Sequence, residues 1–168
     1  MSDPFTTLYD ALWSMLEAHT GFTDLVKVGN RVKFTGEVRD PVKPEINTAD
    51  LPEVRLVPLG GDPHLQRTSN GTSVRKRFGI EITTGDKRVD AALFPVEWEI
   101  FRAMSNWASV LTALTWNSKT YVKLCRPLSM TEGESNPELN RGISGWSLVW
   151  ACEVELWFTT ADMLPAQD

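Results

Sequence analysis

The chain has 168 residues, 42% hydrophobic and 23% charged, with a formal net charge of -5. This composition excludes a disordered or fibrous protein, and the length suits one domain, residues 1–168, burying its own core. The acidic balance excludes a general affinity for nucleic acid or anionic membranes and leaves room only for local basic patches.

No stretch approaches 18 uncharged apolar residues, and the opening MSDPFTTLYD has neither a basic nor a continuous apolar run. The expectation is no membrane span and a protein made and kept in a cytoplasm. Cys125 and Cys152 are the two cysteines, too few for a disulfide scaffold; adjacent strands would leave both a bridge and two reduced thiols open. Seven tryptophans are a high count, and tryptophan serves interfaces as well as cores.

In chain order, Asp3 before Pro4 predicts a helix start. Phe5, Leu8, Leu12, Met15 and Leu16 recur at helical spacing, and the helix is expected to end near His19 with Gly21 as its stop. Phe22 to Val28 suggests one short helical turn, and Asn30 to Phe34 an extended piece. Thr35 to Pro52 carries Pro41, Pro44 and Pro52 among many charges, which fits neither a helix nor a central strand. It is expected to be a surface excursion, a natural arm to lay on a neighbour.

Val54, Leu56 and Pro58 begin a sheet. Gly60 to Thr72 is a connection, with Asn70-Gly71 suited to the positive φ angles of a tight hairpin. Asn70-Gly71-Thr72 also matches a glycosylation acceptor, but with no secretory signal it is taken as a turn. Val74, Phe78, Ile80 and Ile82 alternate with Arg75, Arg77, Glu81 and Thr83 as a half-buried strand. Thr84-Gly85-Asp86 turns into a second long helix with Pro95 near its start and a continuous stripe of Val96, Ile100, Phe101, Met104, Trp107, Ala108 and Leu111.

Tyr121, Val122, Leu124 and Cys125 form a third strand ended by Pro127. A polar loop, Ser129 to Ser144, leads into the strongest signal in the chain: Trp146, Leu148, Trp150, Cys152, Val154, Leu156 and Phe158 on every second residue. A strand over Gly145 to Thr159 runs more than about 40 Å, so it must bend, bulge or project. The tail from Thr160 to Asp168 is expected to fray or dock. These elements make an α+β protein, a mainly antiparallel sheet packed by two helices, with a long C-terminal hairpin.

Chemistry finds little material. His19 and His64 belong to no ligand-spaced cluster, and HExxH, CxxC, GxSxG and phosphate-loop glycine patterns are absent from the sequence. Glu153 and Glu155 share a strand face, close enough for one to raise the other's pKa as an acid-base pair or, alternatively, to be a charged exposed surface. Trp157 shares that face and suggests a contact surface. Arg75, Lys76 and Arg77 form a basic cluster suited to a phosphate backbone, an acidic partner or simple solvation. The expectation is no enzyme and no cofactor, with a small hydrolase and a nucleic-acid module as rivals.

Leu8-Tyr9-Asp10-Ala11-Leu12 with Leu16, Thr23-Asp24-Leu25-Val26 leading to Gly29-Asn30-Arg31-Val32, and Leu51-Pro52-Glu53-Val54-Arg55-Leu56 stand at the starts of successive elements. With the order of parts, these runs resemble the tail terminator or tail-completion proteins of long-tailed bacteriophages, the minor tail protein U-like family. The resemblance implies a structural virion protein of the tail-neck region, assembled in the host cytoplasm, and a ring, typically a hexamer, that caps the tail tube. Its implied partners are copies of itself, the tail tube protein and a head-neck connector or stopper, with DNA passing through unbound. Another connector or a tube protein is the rival within the class. A closed ring needs two different patches per subunit; the candidates are Glu37 to Asp50 with Glu132, Glu134 and Glu138, and the face of Glu153, Glu155 and Trp157, with Arg75, Lys76 and Arg77 as a separate candidate contact.

Overall fold

The computed structural model describes residues 3–33, 51–59, 65–84, 89–128 and 146–163. Its elements in chain order are α1 (Pro4–Glu17), α2 (Thr20–Leu25), β1 (Arg31–Lys33), β2 (Glu53–Pro58), β3 (Leu65–Thr68), β4 (Gly71–Thr83), α3 (Val89–Ala92), α4 (Phe94–Ala103), α5 (Trp107–Thr112), β5 (Thr115–Trp116), β6 (Lys119–Thr120), β7 (Val122–Pro127) and β8 (Trp146–Thr159). The main sheet runs β1-β2-β4-β8-β7, with β3 alongside β4 and β5-β6 as a separate small hairpin. The β1–β2 pair is parallel, and the pairs β2–β4, β3–β4, β4–β8 and β7–β8 are antiparallel. The protein is α+β, as its periodicities indicate.

The alternating C-terminal stretch is the sheet's centre. Trp150, Cys152, Val154, Leu156 and Phe158 are buried, facing the same side as Phe78, Ile80 and Ile82 of β4 and Val54 and Leu56 of β2. Its length is matched by an equally long partner: β4 pairs with it from Gly71 opposite Thr159 to Thr83 opposite Trp146. Ile80 faces Trp150 and Glu81 faces Leu148, so Val149 is an extra, buried residue in a bulge; the alternation expected from Trp146 to Phe158 therefore holds from Trp150 onward, while Leu148 falls opposite Glu81 and Ser147 opposite Ile82.

The helices lie on that apolar side. Asp3 caps α1 by accepting from the Phe5 and Thr6 amides at 3.0 and 2.9 Å, and Leu8, Leu12 and Leu16 are wholly buried. Arg31 ties β1 to α2, donating to the carbonyls of Val26 at 2.6 Å and Thr23 at 2.7 Å. At the far end Phe158 is an aromatic hub. Its ring lies 6.0 Å from Phe5, 5.8 Å from Trp116 and 6.0 Å from Tyr121, whose hydroxyl donates to the Pro4 carbonyl at 2.9 Å.

Five expectations require correction. First, α1 ends at Glu17, and Gly21 is no stop: it sits inside α2, where a Cβ would come 2.0 Å from the Glu99 carboxylate. Gly21 thereby admits the close approach in which His19 Nε2 meets Glu99 Oε2 at 2.6 Å. Second, the Asn70-Gly71 turn is displaced by one residue. Thr68 pairs with Gly71, so Ser69 and Asn70 form the turn within the stretch expected to be a connection, and neither takes a positive φ. Gly71 is needed instead for closeness, since a Cβ there would lie 2.3 Å from the Phe158 carbonyl oxygen.

Third, the second long helix is broken. Ser105 donates to the Arg102 carbonyl and Trp107 to that of Met104, three-residue closures that end α4 before α5 starts. Ser105-Asn106 favours this, since short polar side chains compete with helical hydrogen bonding. The break lets the Trp107 ring meet Trp150 edge-on at 5.1 Å, while Phe101, expected in the buried stripe, is 41% exposed. Fourth, Asn117 and Ser118, with φ of 49° and 62°, make the β5–β6 turn, unannounced by any glycine. Fifth, the tail begins as a 3-10 turn, Thr160–Met163, held by Asp162, which accepts from the Thr159 amide at 2.9 Å.

The loop Ser129 to Ser144, most of the excursion from Thr35, and Phe34 lie outside the described residues. Replacing Phe158 by Ala is expected to cost about 3–5 kcal/mol of stability, read by denaturant unfolding. A loss below about 1 kcal/mol would show that the cluster does not hold α1 to the sheet.

Candidate interaction surface

Because β-strand side chains alternate, the residues between the core positions of β2, β4 and β8 face away from the helices. On β4 these are Ser73, Arg75, Arg77 and Glu81, and on β8 Glu153, Glu155 and Trp157. The register sets Arg75 directly opposite Glu155 and Arg77 opposite Glu153. The two charged clusters picked out separately in the sequence are therefore each other's partners.

Arg77 Nε donates to Glu153 Oε2 at 2.8 Å, and Arg126 of β7 approaches Oε1 of the same carboxylate at 3.9 Å. Glu153 is 7% exposed, a buried carboxylate held between two guanidinium groups. Arg75 Nε lies 3.3 Å from Glu155 Oε2, and the Ser73 hydroxyl donates to Oε1 at 3.0 Å. On β2, Arg55 pairs with Glu53. Glu81 lies opposite Arg55 in the register, and burial pushes its carboxyl above the ordinary range. Glu53, Glu81, Glu153 and Glu155 thus stand among Arg55, Arg75, Arg77 and Arg126 in a face whose formal charges cancel.

This arrangement corrects two readings. Glu153 and Glu155 do not act on each other as an acid-base pair. The Ser73 hydroxyl, and then Arg75, hold the Glu155 carboxyl below its ordinary range. Nor do Arg75, Lys76 and Arg77 form one basic patch, because Lys76 points to the opposite face, with its Nζ 4.6 Å from the centre of the Phe5 ring. Trp157 stays on the charged face, half-buried at its end. Glu37, Asp50, Glu132, Glu134 and Glu138, like His64, lie outside the described residues.

Sequence reasoning missed Arg126 and Ser73. The signal for their charged partners was the matching two-residue spacing of Arg75/Arg77 and Glu153/Glu155, which antiparallel pairing converts into contact. Cys125 and Cys152 are free thiols, and burial pushes both upward in pKa. His19 is joined to Glu99, whose carboxyl that hydrogen bond, helped by Arg102, holds below its ordinary range. Among the described residues no three His, Cys, Asp or Glu side chains gather as a metal site, and no helix is long and apolar enough to cross a membrane.

No protein-family model matches the chain, and no curated protein matches it. Among solved structures it is similar to the bacteriophage SPP1 gp17 protein, at 16% sequence identity and a TM-score of 0.45, over 92% of this chain and 91% of that one.

A carboxyl whose pKa is lowered by folding contributes stability above its unfolded value, about 4.3, and loses it as pH falls through the folded value. Glu155→Gln is therefore expected to be less stable than the parent near about pH 7, with the two unfolding curves converging as pH falls below the ordinary carboxylate range. Denaturant midpoints measured across that range check it, and a gap that stays constant with pH would contradict the assignment.

Proposed function

We propose that the chain is a structural subunit of a long-tailed bacteriophage, a tail terminator that closes with copies of itself into a ring, typically of six, at the end of the tail tube facing the head. The single observation that carries the reading is the outer sheet face, in which Arg55, Arg75, Arg77 and Arg126 each meet a glutamate along the β4–β8 pair and the strands beside it. Such a face suits surface contact, since three of its four glutamates, Glu53, Glu153 and Glu155, are held by arginine.

The resemblance seen in the sequence supplies the rest of the reading. Arg31 now has a physical reason in the Gly29-Asn30-Arg31-Val32 run, since it closes the end of α2 onto β1. The partners are the tail tube protein on one side and a head-neck connector or stopper on the other, with no cofactor, in a virion assembled in the host cytoplasm. The net charge of -5, repeated around a ring, repels phosphate and lets DNA slide through. The balanced outer sheet face is not the source of that surplus, so it belongs at subunit or layer contacts and not on the channel wall.

Native mass measurement of the purified chain, with electron microscopy of the same sample, tests the proposal. The expected result is a closed single-layer ring, formed alone or on tail tubes. Open-ended stacks would favour a tube protein, and a chain that stays monomeric even with tail tubes present would remove the proposal. A hydrolase reading gains nothing from the geometry, since Glu153 and Glu155 are each engaged by arginine.

A further inference from the structure

The outer sheet face balances its charges in sum but not in place. Glu153 has two guanidinium groups beside it, Arg77 at 2.8 Å and Arg126 at 3.9 Å. Towards the other end of β4, Arg55 stands between two carboxylates. It pairs with Glu53, both side chains 12% exposed, and lies opposite Glu81 in the register. Glu81 is half-buried, and burial raises its carboxyl with no cation or hydrogen bond drawing it back down. Among the described residues no fully buried side-chain oxygen goes without a hydrogen-bond partner, so the Glu81 carboxylate reaches the surface.

Arg126 is the loosely held member of the set. It sits on β7, the last strand of the sheet, with its side chain 53% exposed, and its approach to Glu153 duplicates the shorter contact made by Arg77. Leu124, two residues earlier on the same outer side, is exposed beside it. Arg126 does not serve the Glu81 of its own chain. Arg77 and Arg126 both lie level with Glu153, and from Arg77 to Glu81 is four residues of β4, about 14 Å, with β7 about 10 Å to the side of β4. After Ser73 and Arg75, Arg126 helps to lower the Glu155 carboxyl, whereas it has no such effect on Glu81.

Resting on the ring reading above, we infer that Arg126 of one copy engages Glu81 of the next, a head-to-tail contact in which the β7 edge of one subunit lies over the β2–β4 end of its neighbour's outer face. The occupant is a second copy because one chain carries both the surplus guanidinium and the carboxylate that lacks one, at places too far apart to meet within it. Two unlike, complementary patches on one chain make a heterologous contact, the type that closes into rings. Covering a half-buried carboxylate removes the water that screens it, so the pair gains strength as the interface closes, and Leu124 adds an apolar side chain at its margin.

Arg126→Glu and Glu81→Arg test the inference, first alone and then mixed. Thermal midpoints by circular dichroism check that each chain folds; where one moves, Arg126→Gln or Glu81→Gln takes its place. Alone, each charge-reversed chain sets like charges together across the contact, and its self-association is expected to weaken about 10-fold or more by analytical ultracentrifugation. Mixed one to one, the two should assemble again, because each presents to the other the charge that its own copies reject; with the glutamine variants the mixture recovers one contact in two and stops at heterodimers. Variants that assemble as a ring-forming parent does, or a mixture that stays apart, overturn this contact and leave the ring standing. A parent that is monomeric in every condition, tail tubes included, overturns both. Rings that close normally while Glu81→Arg no longer binds tail tubes would give Glu81 to that partner and also overturn the inference.

Discussion

Everything else in the molecule depends on the pairing of β4 with β8. These two strands sit at the middle of the sheet, and β2, β3 and β7 are added to their edges. One side of the pair supplies most of the sheet's contribution to the core, and the other supplies the arginine–glutamate ladder. A one-residue slip would exchange the two sides, putting charges under the helices and Leu156 and Phe158 into water. The ladder opposes that slip from the polar side as the core opposes it from the apolar side, so specificity is enforced twice over the same register.

The energetic roles of the two sides differ. Burying an aliphatic or aromatic side chain of the core contributes about 1.5–3 kcal/mol, whereas partly exposed ion pairs such as Arg75–Glu155 contribute about 0–1 kcal/mol each. Glu153 is the exception: withdrawn from solvent, it would be costly without Arg77 and Arg126, so its neighbours are a requirement of its burial more than a source of stability. The ladder therefore fixes geometry, holding side chains in one arrangement on an otherwise flat face.

Much of the fold was legible because its signals are periodic. The alternating residues of β8 from Trp150 to Phe158, the Asp3 cap and the leucine stripe of α1 all declare themselves in local spacing, and there local spacing survives folding. What was not legible depends on a partner distant in the chain. Phe101 fits the apolar stripe of a long helix until Ser105-Asn106 ends that helix, and Gly21 resembles a stop until Glu99 arrives beside it. The charged clusters were found residue by residue but misread, because each was judged alone; their meaning lies in a register that joins positions 76 and 80 residues apart.

The position of β8 in the sheet also sets the timing of folding. Among the described strands the central one comes last in the chain, and its partner β4 is made about 75 residues earlier. On the ribosome the helices and β4 emerge with the middle of the sheet missing, and a long loop must close before the core is rewarded. The strand edge of β4 stays open through most of synthesis, the interval in which such edges are exposed to wrong pairing. Arg75 and Arg77, which meet Glu155 and Glu153 in the finished sheet, lie along that edge, and charged side chains on an open edge disfavour its pairing with another strand.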